Sequence, residues 1–333
     1  MSIRKIIKRF WPLAGPIFGP AVLFSKILIK GEALFWGTPS LQFFPWWKYA
    51  WDTILAGKIP YWNPLVGMGA PLIANYQSGI FYPPYWIDFG VYLAGGITWM
   101  AWAHTFVVIA HLAWAGVGSA RLAKELGMGE LSQSIAGLSY GMGGYLVSRV
   151  GFFSINSAAA WFPWVLLLSH RLVNNKNRKT TLKLAIVFGL LFLAGHAQTA
   201  WYIILFSGIW ITYLALKRGK VELEGRKLKI IGKFLVAGLT GAGLAAVQIL
   251  PTAEYLLLSQ RSSEYGFQQA MTYSFWPWRF ITIAVPGLFG NPGSGNYWGY
   301  GNYWEDALYI GMLPLILAFI LIAKVILDRK NPG

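Results

Sequence analysis

Cysteine is absent from the sequence, which excludes disulfide bonds and any metal or redox site that depends on a thiolate. Charged residues are also scarce: they make up 12% of the 333 residues, too few for the solvated surface of a soluble protein of this length. The sequence further lacks a Walker-type phosphate loop, a dinucleotide-binding glycine fingerprint, and the HExxH and GxSxG motifs. The common soluble enzyme chemistries therefore have no support.

The sequence consists mostly of apolar segments. Hydrophobic residues make up 56% of the chain and the mean hydropathy is +0.49, values typical of a polytopic helical membrane protein. We expect an all-α transmembrane helical bundle that forms a single integral membrane domain over residues 1–333. A window of about 19 residues predicts about eight spans, near residues 10–29, 97–120, 131–148, 155–173, 182–196, 198–216, 231–250 and 305–327.

The segment from Leu182 to Leu216 is predicted to form two spans. A single helix of that length would extend about 52 Å, well beyond the roughly 30 Å of a bilayer. Basic residues flank the segment on both sides, which places both ends on the same side of the membrane. We therefore predict two short crossings joined by a turn at GHAQ (Gly195–Gln198).

Basic residues are distributed unevenly between the predicted loops. With a cytoplasmic N-terminus, 21 of the 28 basic residues fall on the inner side, whereas the outer segments hold seven basic and seven acidic residues. This asymmetry is the positive-inside pattern of a multi-pass protein of the cell membrane. It accounts for the net charge of +16 without nucleic acid, and the inner cations are expected to lie against anionic membrane lipids.

Two large extracytoplasmic loops are predicted, at about residues 30–96 and 251–304. The first contains Pro45–Lys58, which mixes Trp and Lys as an interfacial amphipathic helix does. It also contains Ile59–Trp86, which has five prolines and no charge and can therefore hold a fixed shape without regular structure. Its seven aromatic rings either lie in the headgroup zone or form a platform for a sugar or lipid. The candidate substrate-binding residues of this stretch are Trp62, Asn63, Asn75 and Gln77.

No metal or cofactor site is predicted. His104 and His111 are seven residues apart on one predicted span, but no third ligand accompanies them, so we expect both to be hydrogen-bonded inside the bundle. Glu305 and Asp306 are adjacent in sequence, and two adjacent carboxylates do not provide a full ligand set for a divalent ion.

The sequence closely resembles the YfhO family of bacterial membrane proteins in four blocks: GTPSLQFFPWW (37–47), AGKIPYWNPLVGMGAPLIANYQSGIFYPP (56–84), AGHAQTAWY (194–202) and GNYWEDALYIGMLPLILA (301–318). The resemblance implies a fold like that of the GT-C superfamily of integral membrane glycosyltransferases. Such enzymes take a sugar from a polyprenyl-phosphate carrier and pass it to a cell-envelope glycan or lipid acceptor on the outer side. Family members are longer, so the resemblance also implies a shortened member or the N-terminal part of a longer architecture.

The resemblance further implies a catalytic carboxylate in the first outer loop, where relatives read Gly-Asp ahead of Gln-x-x-Pro. Here Gly37-Thr38 stands ahead of Gln42, and threonine cannot replace a carboxylate as a general base. Gln42 remains a candidate binding residue of that motif. Glu305 matches the family's acidic residue before Tyr-x-Gly, and Asp52 is the best-placed acid of the first loop. A surface ion pair or a helix cap is the alternative for either carboxylate.

A leaving lipid phosphate requires a cation. The basic side chains considered on the outer side are Lys48, Lys58, Arg149, Arg261 and Arg279. Arginine binds phosphate through two hydrogen bonds, whereas lysine more often extends to a lipid headgroup, so Arg149 and Arg279 are the candidates. His196 and Gln198 match a family block and are expected either to bind substrate or to cap the helix break.

Two other classes of function remain open. A lipid or polysaccharide transporter or flippase usually has charged groups near the bilayer midplane and an internal repeat. The predicted spans contain almost no midplane acids and the sequence shows no convincing repeat, which favours the glycosyltransferase. A noncatalytic membrane subunit is the third interpretation, and it rests on the missing Gly-Asp.

Overall fold

Helices form most of the chain in the computed structural model, which describes residues 3–174, 178–217, 224–259, 267, 271 and 274–330. The helices are α1 (Ile3–Leu23), α2 (Ser25–Lys30), α3 (Phe44–Leu55), α4 (Trp86–Glu125), α5 (Glu130–Gly141), α6 (Gly144–Ser148), α7 (Phe153–Ala159), α8 (Phe162–Asn174), α9 (Arg178–Leu193), α10 (Ala197–Lys217), α11 (Glu224–Leu244), α12 (Ala246–Leu257), α13 (Tyr303–Asp306) and α14 (Met312–Lys330). Strands β1 (Trp62–Asn63) and β2 (Ala70–Pro71) form a small antiparallel pair. The prediction of a helical protein is confirmed.

Two helices of the described residues are long and apolar enough to cross a membrane, Pro83–Glu125 and Ala197–Lys217. A third candidate is the pair Lys227–Leu244 and Ala246–Leu257, if the 80° bend between them lies within one broken span. The sequence predicted about eight spans, but several of the apolar segments form shorter or divided helices. The segment 131–148, for example, becomes α5 and α6, separated at Met142 and Gly143.

Glycine allows α4 and α5 to pack closely. A Cβ atom on Gly137 would lie 2.8 Å from the carbonyl oxygen of Gly116, and one on Gly141 would lie 2.7 Å from that of Leu112. Contacts this short exclude any larger residue at these positions. Small residues at helix crossings are the usual means by which membrane helices approach each other, so the glycine-rich character of 131–148 serves helix packing.

The first long loop folds against the helices as part of the core. Helix α3 buries Phe44, Trp47 and Trp51 on one face, so an amphipathic helix is present over Phe44–Leu55, and its position in the membrane interface stays a prediction. That apolar face contacts protein: Trp47 stacks on Phe153 with ring centroids 5.7 Å apart, and Trp51 lies 5.0 Å from Phe89. The buried tryptophans of the loop therefore form its attachment to the bundle.

Hydrogen bonds from α12 hold the aromatic, proline-rich part of the loop. In the hairpin Trp62 pairs with Pro71 and Asn63 with Ala70. Beyond the hairpin, Gln248 Nε2 donates to the carbonyl oxygen of Ile73 at 2.9 Å, and Thr252 Oγ1 donates to that of Ala74 at 3.0 Å. The fixed shape expected for this stretch therefore comes from short turns and from side chains of a distant helix.

A buried polar pair lies beneath α3. His104 Nδ1 is 2.6 Å from Asp88 Oδ2, and the two side chains are 1% and 0% exposed. His111 Nε2 is 2.7 Å from the hydroxyl of Tyr82. Both histidines are thus hydrogen-bonded inside the bundle, as the sequence predicted, and the described residues contain no group of three potential metal ligands. Asp88, which the sequence counted among the outer acids, is a core residue.

The predicted turn at GHAQ is confirmed, because α9 ends at Leu193 and α10 begins at Ala197. Gly195 has a φ of 89°, which side chains rarely adopt. A Cβ atom there would lie 2.9 Å from the carbonyl oxygen of Tyr76. The turn therefore packs directly on the first long loop.

Replacement of Gly195 by alanine is expected to lower the free energy of unfolding by about 1–3 kcal/mol, the range for a residue held in an unfavourable conformation. Gly208→Ala in α10 is the matched control, because a Cβ atom at Gly208 has no neighbour within 4 Å. Unfolding by SDS in mixed micelles measures both. Equal stabilities for the two variants would contradict the close approach at Tyr76.

Candidate functional site

Four separate segments meet around Arg149, at the end of the bundle that carries both long loops. Arg149 follows α6, and its Nη2 atom is 3.5 Å from Glu305 Oε2 of α13. His196 of the GHAQ turn lies close enough for the charge of Arg149 to lower the pKa of its ring. Gly195 in turn packs on Tyr76 of the first loop. We refer to Arg149, Glu305, His196 and Tyr145 as the Arg149 cluster.

Arg149 is 6% exposed, and its charge is stabilised from two sides. Its guanidinium lies over the ring of Tyr145, 4.1 Å from the centroid, a cation–π contact one helical turn away. Glu305 faces it from the second long loop. Burial lowers the pKa of Arg149 and the two partners act against that change, but a guanidinium stays protonated. The cluster therefore contains a fixed positive charge.

Glu305 is held in place by its backbone. Asn302 Oδ1 accepts a hydrogen bond from the Glu305 amide at 3.1 Å, which caps the short helix α13. Farther along, the Gly144 amide donates to the Tyr309 carbonyl oxygen at 2.6 Å and fixes this loop to α6. The side chain of Glu305 is 43% exposed, so its carboxylate can accept a hydrogen bond from a bound molecule.

His196 caps α10. Its Nδ1 accepts a hydrogen bond from the Thr199 amide at 3.2 Å and lies 2.8 Å from the Thr199 hydroxyl. Burial and the charge of Arg149 lower the pKa of His196 from 6.5 to about 4. The ring is therefore neutral near pH 7, and because Nδ1 is an acceptor its proton is on Nε2. Of the two roles predicted for His196, the structure supports the cap.

Stability is expected to depend on pH through His196. Between pH 6.5 and 4 the unfolded chain binds a proton at His196 that the folded protein does not, so the free energy of unfolding falls as the pH is lowered. Asparagine is also an N-cap but does not titrate in this range. His196→Asn should therefore flatten the dependence measured by thermal unfolding from pH 7 to 4. Superimposable wild-type and variant curves would contradict this assignment.

A cavity of about 270 Å³ lies beside the cluster, between α6 and the second loop. Three tyrosines, Tyr297, Tyr303 and Tyr309, line it together with Ser148 next to Arg149, and the rest of its wall is mostly apolar. Aromatic rings with nearby hydroxyl groups offer a sugar both a stacking face and hydrogen bonds. None of these tyrosines was predicted as a binding residue, although Tyr309 is the tyrosine of the Tyr-x-Gly that follows Glu305 and Tyr303 belongs to the same family block.

An apolar groove of about 750 Å³ lies between the first loop and α12. Its walls include Ile59, Tyr61, Trp86, Val247 and Leu250, and the Lys58 residue is at its edge. The groove runs along the bend between α11 and α12, the candidate broken span. Its composition suits a hydrocarbon chain.

Two further predicted binding residues lie near the cluster. Arg279 is 3% exposed, and its guanidinium packs on Gly301, close in sequence to Glu305. Gln198 is exposed in the GHAQ segment and donates to the Tyr202 hydroxyl at 2.8 Å. Arg261 lies outside the described residues.

Asp52 is not part of the Arg149 cluster. It pairs with Lys48 at 2.6 Å and accepts a hydrogen bond from the Tyr92 hydroxyl. Burial acts to raise the pKa of Asp52, but these two hydrogen bonds outweigh it and the pKa lies below its ordinary value. Asp52 thus forms a surface ion pair of the kind considered from the sequence.

The remaining candidates are part of the first loop. Asn63 Oδ1 accepts from the Leu65 amide at 2.9 Å and Asn75 Oδ1 accepts from the Gln77 amide at 3.2 Å, so both side chains stabilise turns. The side chains of Gln42, Trp62 and Gln77 are exposed. Tyr145 was not predicted from the sequence, but its position four residues before Arg149, at the start of the short helix α6, made it identifiable in principle.

Comparison with known proteins identifies one family. The family model described as "Bacterial membrane protein YfhO" matches residues 76–331 of the chain. Searches of curated proteins and of solved structures found no significant match.

Proposed function

Since the chain belongs to the YfhO family of bacterial membrane proteins, we propose that it is an integral membrane glycosyltransferase of the GT-C type. It transfers a sugar from a polyprenyl-phosphate carrier to a glycan or lipid acceptor of the cell envelope, on the outer face of the membrane. The observation that carries this proposal is the pairing of Arg149 with Glu305 beside a tyrosine-lined cavity.

The Arg149–Glu305 pair supplies the two groups that the reaction requires. The Glu305 carboxylate accepts the proton of the acceptor hydroxyl as the acceptor oxygen bonds to the anomeric carbon of the sugar. The bond between that carbon and the phosphate oxygen breaks, and its electron pair leaves with the lipid phosphate. Arg149 stabilises the phosphate through hydrogen bonds of its charged guanidinium. Asp52 is the second candidate base, in the first loop.

The two spaces near the loops fit the two parts of such a donor. The 270 Å³ cavity beside Ser148 suits one sugar ring, and the 750 Å³ groove suits part of an isoprenoid chain. Arg279, whose guanidinium packs on Gly301, is a second candidate cation for the phosphate. On this proposal Gln42, Trp62 and Gln77, which are exposed in the first loop, contact the donor or the acceptor.

We also propose the topology that the charges predict: about eight membrane crossings, several of them broken, with the N-terminus in the cytoplasm. The segment from Lys217 to Lys233 holds seven basic residues. On this topology that segment and the basic N-terminus face inward. The Arg149 cluster and both long loops face outward. Residues 1–333 act as one membrane domain.

One observation favours a second candidate, a lipid flippase or transporter. The 80° bend between α11 and α12 borders the apolar groove, and broken helices form binding sites in many transporters. The groove would then pass a lipid between leaflets instead of holding a donor during transfer.

Purified protein with a polyprenyl-phosphate sugar and a membrane acceptor tests the first proposal. Radiolabelled sugar should appear in the acceptor, and labelled lipid in vesicles containing the protein should not change leaflet faster than in empty vesicles. Lipid movement without sugar transfer would establish the flippase. The absence of both activities would favour a noncatalytic subunit.

A further inference from the structure

At the end of α4 opposite the Arg149 cluster, a small cationic cavity of about 100 Å³ lies between three helices. Arg121 and Lys124 of α4 supply its charge, and Gln133 of α5 lies next to them. Phe10 and Leu13 of α1 form its apolar wall. The cavity shares no residue with the sites described above.

No acidic side chain among the described residues lines this cavity, although two carboxylates lie near its residues in the sequence. Glu125 pairs with Arg171 at 2.9 Å, and Glu130 accepts a hydrogen bond from Trp11 Nε1 at 2.6 Å. Within the described residues, no ion pair involves Arg121 or Lys124. Residues 1–9, which precede the apolar wall, include four basic residues and no acid. Two cations three residues apart on a helix repel each other, so an anion between them is stabilised.

The cavity combines a cationic side with an apolar side. Arginine binds phosphate oxygens through two hydrogen bonds, and lysine adds a mobile point charge. Phe10, 52% exposed, presents an aromatic ring beside them. A phosphate bound here would therefore have its ester substituent next to an apolar surface, which suits a phospholipid better than a free ion.

We propose that Arg121 and Lys124 bind the phosphate headgroup of an anionic phospholipid between α1, α4 and α5. The site is independent of the proposed glycosyl transfer, and only the choice of the inner leaflet depends on the proposed topology. The bound lipid ties the start of α1 to the end of α4.

Thermal unfolding of the full chain in detergent, with added phosphatidylglycerol, phosphatidylcholine or inorganic phosphate, tests this site. Phosphatidylglycerol should raise the unfolding temperature, and the other two should have little effect. The double variant Arg121→Gln/Lys124→Gln should bind phosphatidylglycerol about 30-fold more weakly, which corresponds to about 2 kcal/mol for two cations. The single variant Lys124→Gln should lose less affinity for phosphatidylglycerol than the double variant.

The matched control is Lys229→Gln/Lys233→Gln in α11, which removes the same charge from the same predicted side of the membrane. This control should bind phosphatidylglycerol as the wild type does. Equal losses of affinity for phosphatidylglycerol in both double variants would show diffuse attraction to the basic surface. No loss of affinity in either variant would show that the site does not bind lipid. Each of these results would overturn the proposal. If inorganic phosphate raises the unfolding temperature as much as phosphatidylglycerol does, the ligand of this site is free phosphate.

Discussion

Replacement of Glu305 by glutamine is expected to lower the rate of sugar transfer about 10²- to 10⁴-fold, the contribution of a positioned general base. Glutamine keeps the size of the side chain and the backbone cap from Asn302, so the fold around Arg149 should be retained. What is lost is the carboxylate, which accepts the proton of the acceptor hydroxyl and also pairs with Arg149. Single-turnover transfer from a radiolabelled polyprenyl-phosphate sugar measures the effect.

Asp52→Asn is the matched comparison, because it removes a carboxylate from the other candidate position. Asp52 is already paired with Lys48 and Tyr92, so its loss should leave the transfer rate close to that of the wild type. A large loss in Asp52→Asn with normal transfer in Glu305→Gln would move the base to the first loop. Normal transfer in both variants would remove both carboxylates from the mechanism while leaving the enzyme class intact.

Replacement of Asp88 by alanine is expected to lower the free energy of unfolding by about 3 kcal/mol, because one partner of a fully buried pair is removed. His104 would then keep its Nδ1 atom in an aromatic core without a partner. Phe153 and Trp47 surround that ring, with centroids 4.0 and 4.6 Å away, so water cannot replace the carboxylate without repacking. SDS titration in mixed micelles gives the free energy.

A double-mutant cycle with His104→Ala separates the pair from the loss of packing. The two single changes should sum to more than the double variant, since each removes the same interaction. Asp52→Asn, at an exposed ion pair, should cost no more than about 1 kcal/mol. Strict additivity of Asp88→Ala and His104→Ala would contradict the direct contact.

Much of the fold could be predicted from local patterns. Apolar segments predicted helices, and the mixture of Trp and Lys in Pro45–Lys58 predicted α3. The length and basic flanks of Leu182–Leu216 predicted the break at GHAQ. The number of membrane crossings depends on more than hydropathy. Met142 and Gly143, for example, divide one apolar segment into α5 and α6, and a Cβ atom on Gly143 would lie 2.6 Å from the carbonyl oxygen of Ser139.

The contacts that depend on tertiary structure were not predictable. Asp88 was counted as an outer acid because it lies in the predicted first loop, at about residues 30–96, but it pairs with His104 across the kink at Gly96. Arg149 and Glu305 were both selected from the sequence, one by charge and one by resemblance. Their pairing joins segments more than 150 residues apart, and no sequence spacing specifies such a contact.

Accessibility labelling tests the central claim most directly, since the absence of cysteine allows single cysteines to be introduced. Gln77→Cys in the first loop, Ser294→Cys in the second and Lys229→Cys on α11 would be treated in intact cells with a thiol reagent that does not cross the membrane. We predict labelling at the first two positions and none at the third until the cells are opened. Labelling of only one of the two loop positions would place the loops on opposite sides and contradict an outward-facing Arg149 cluster.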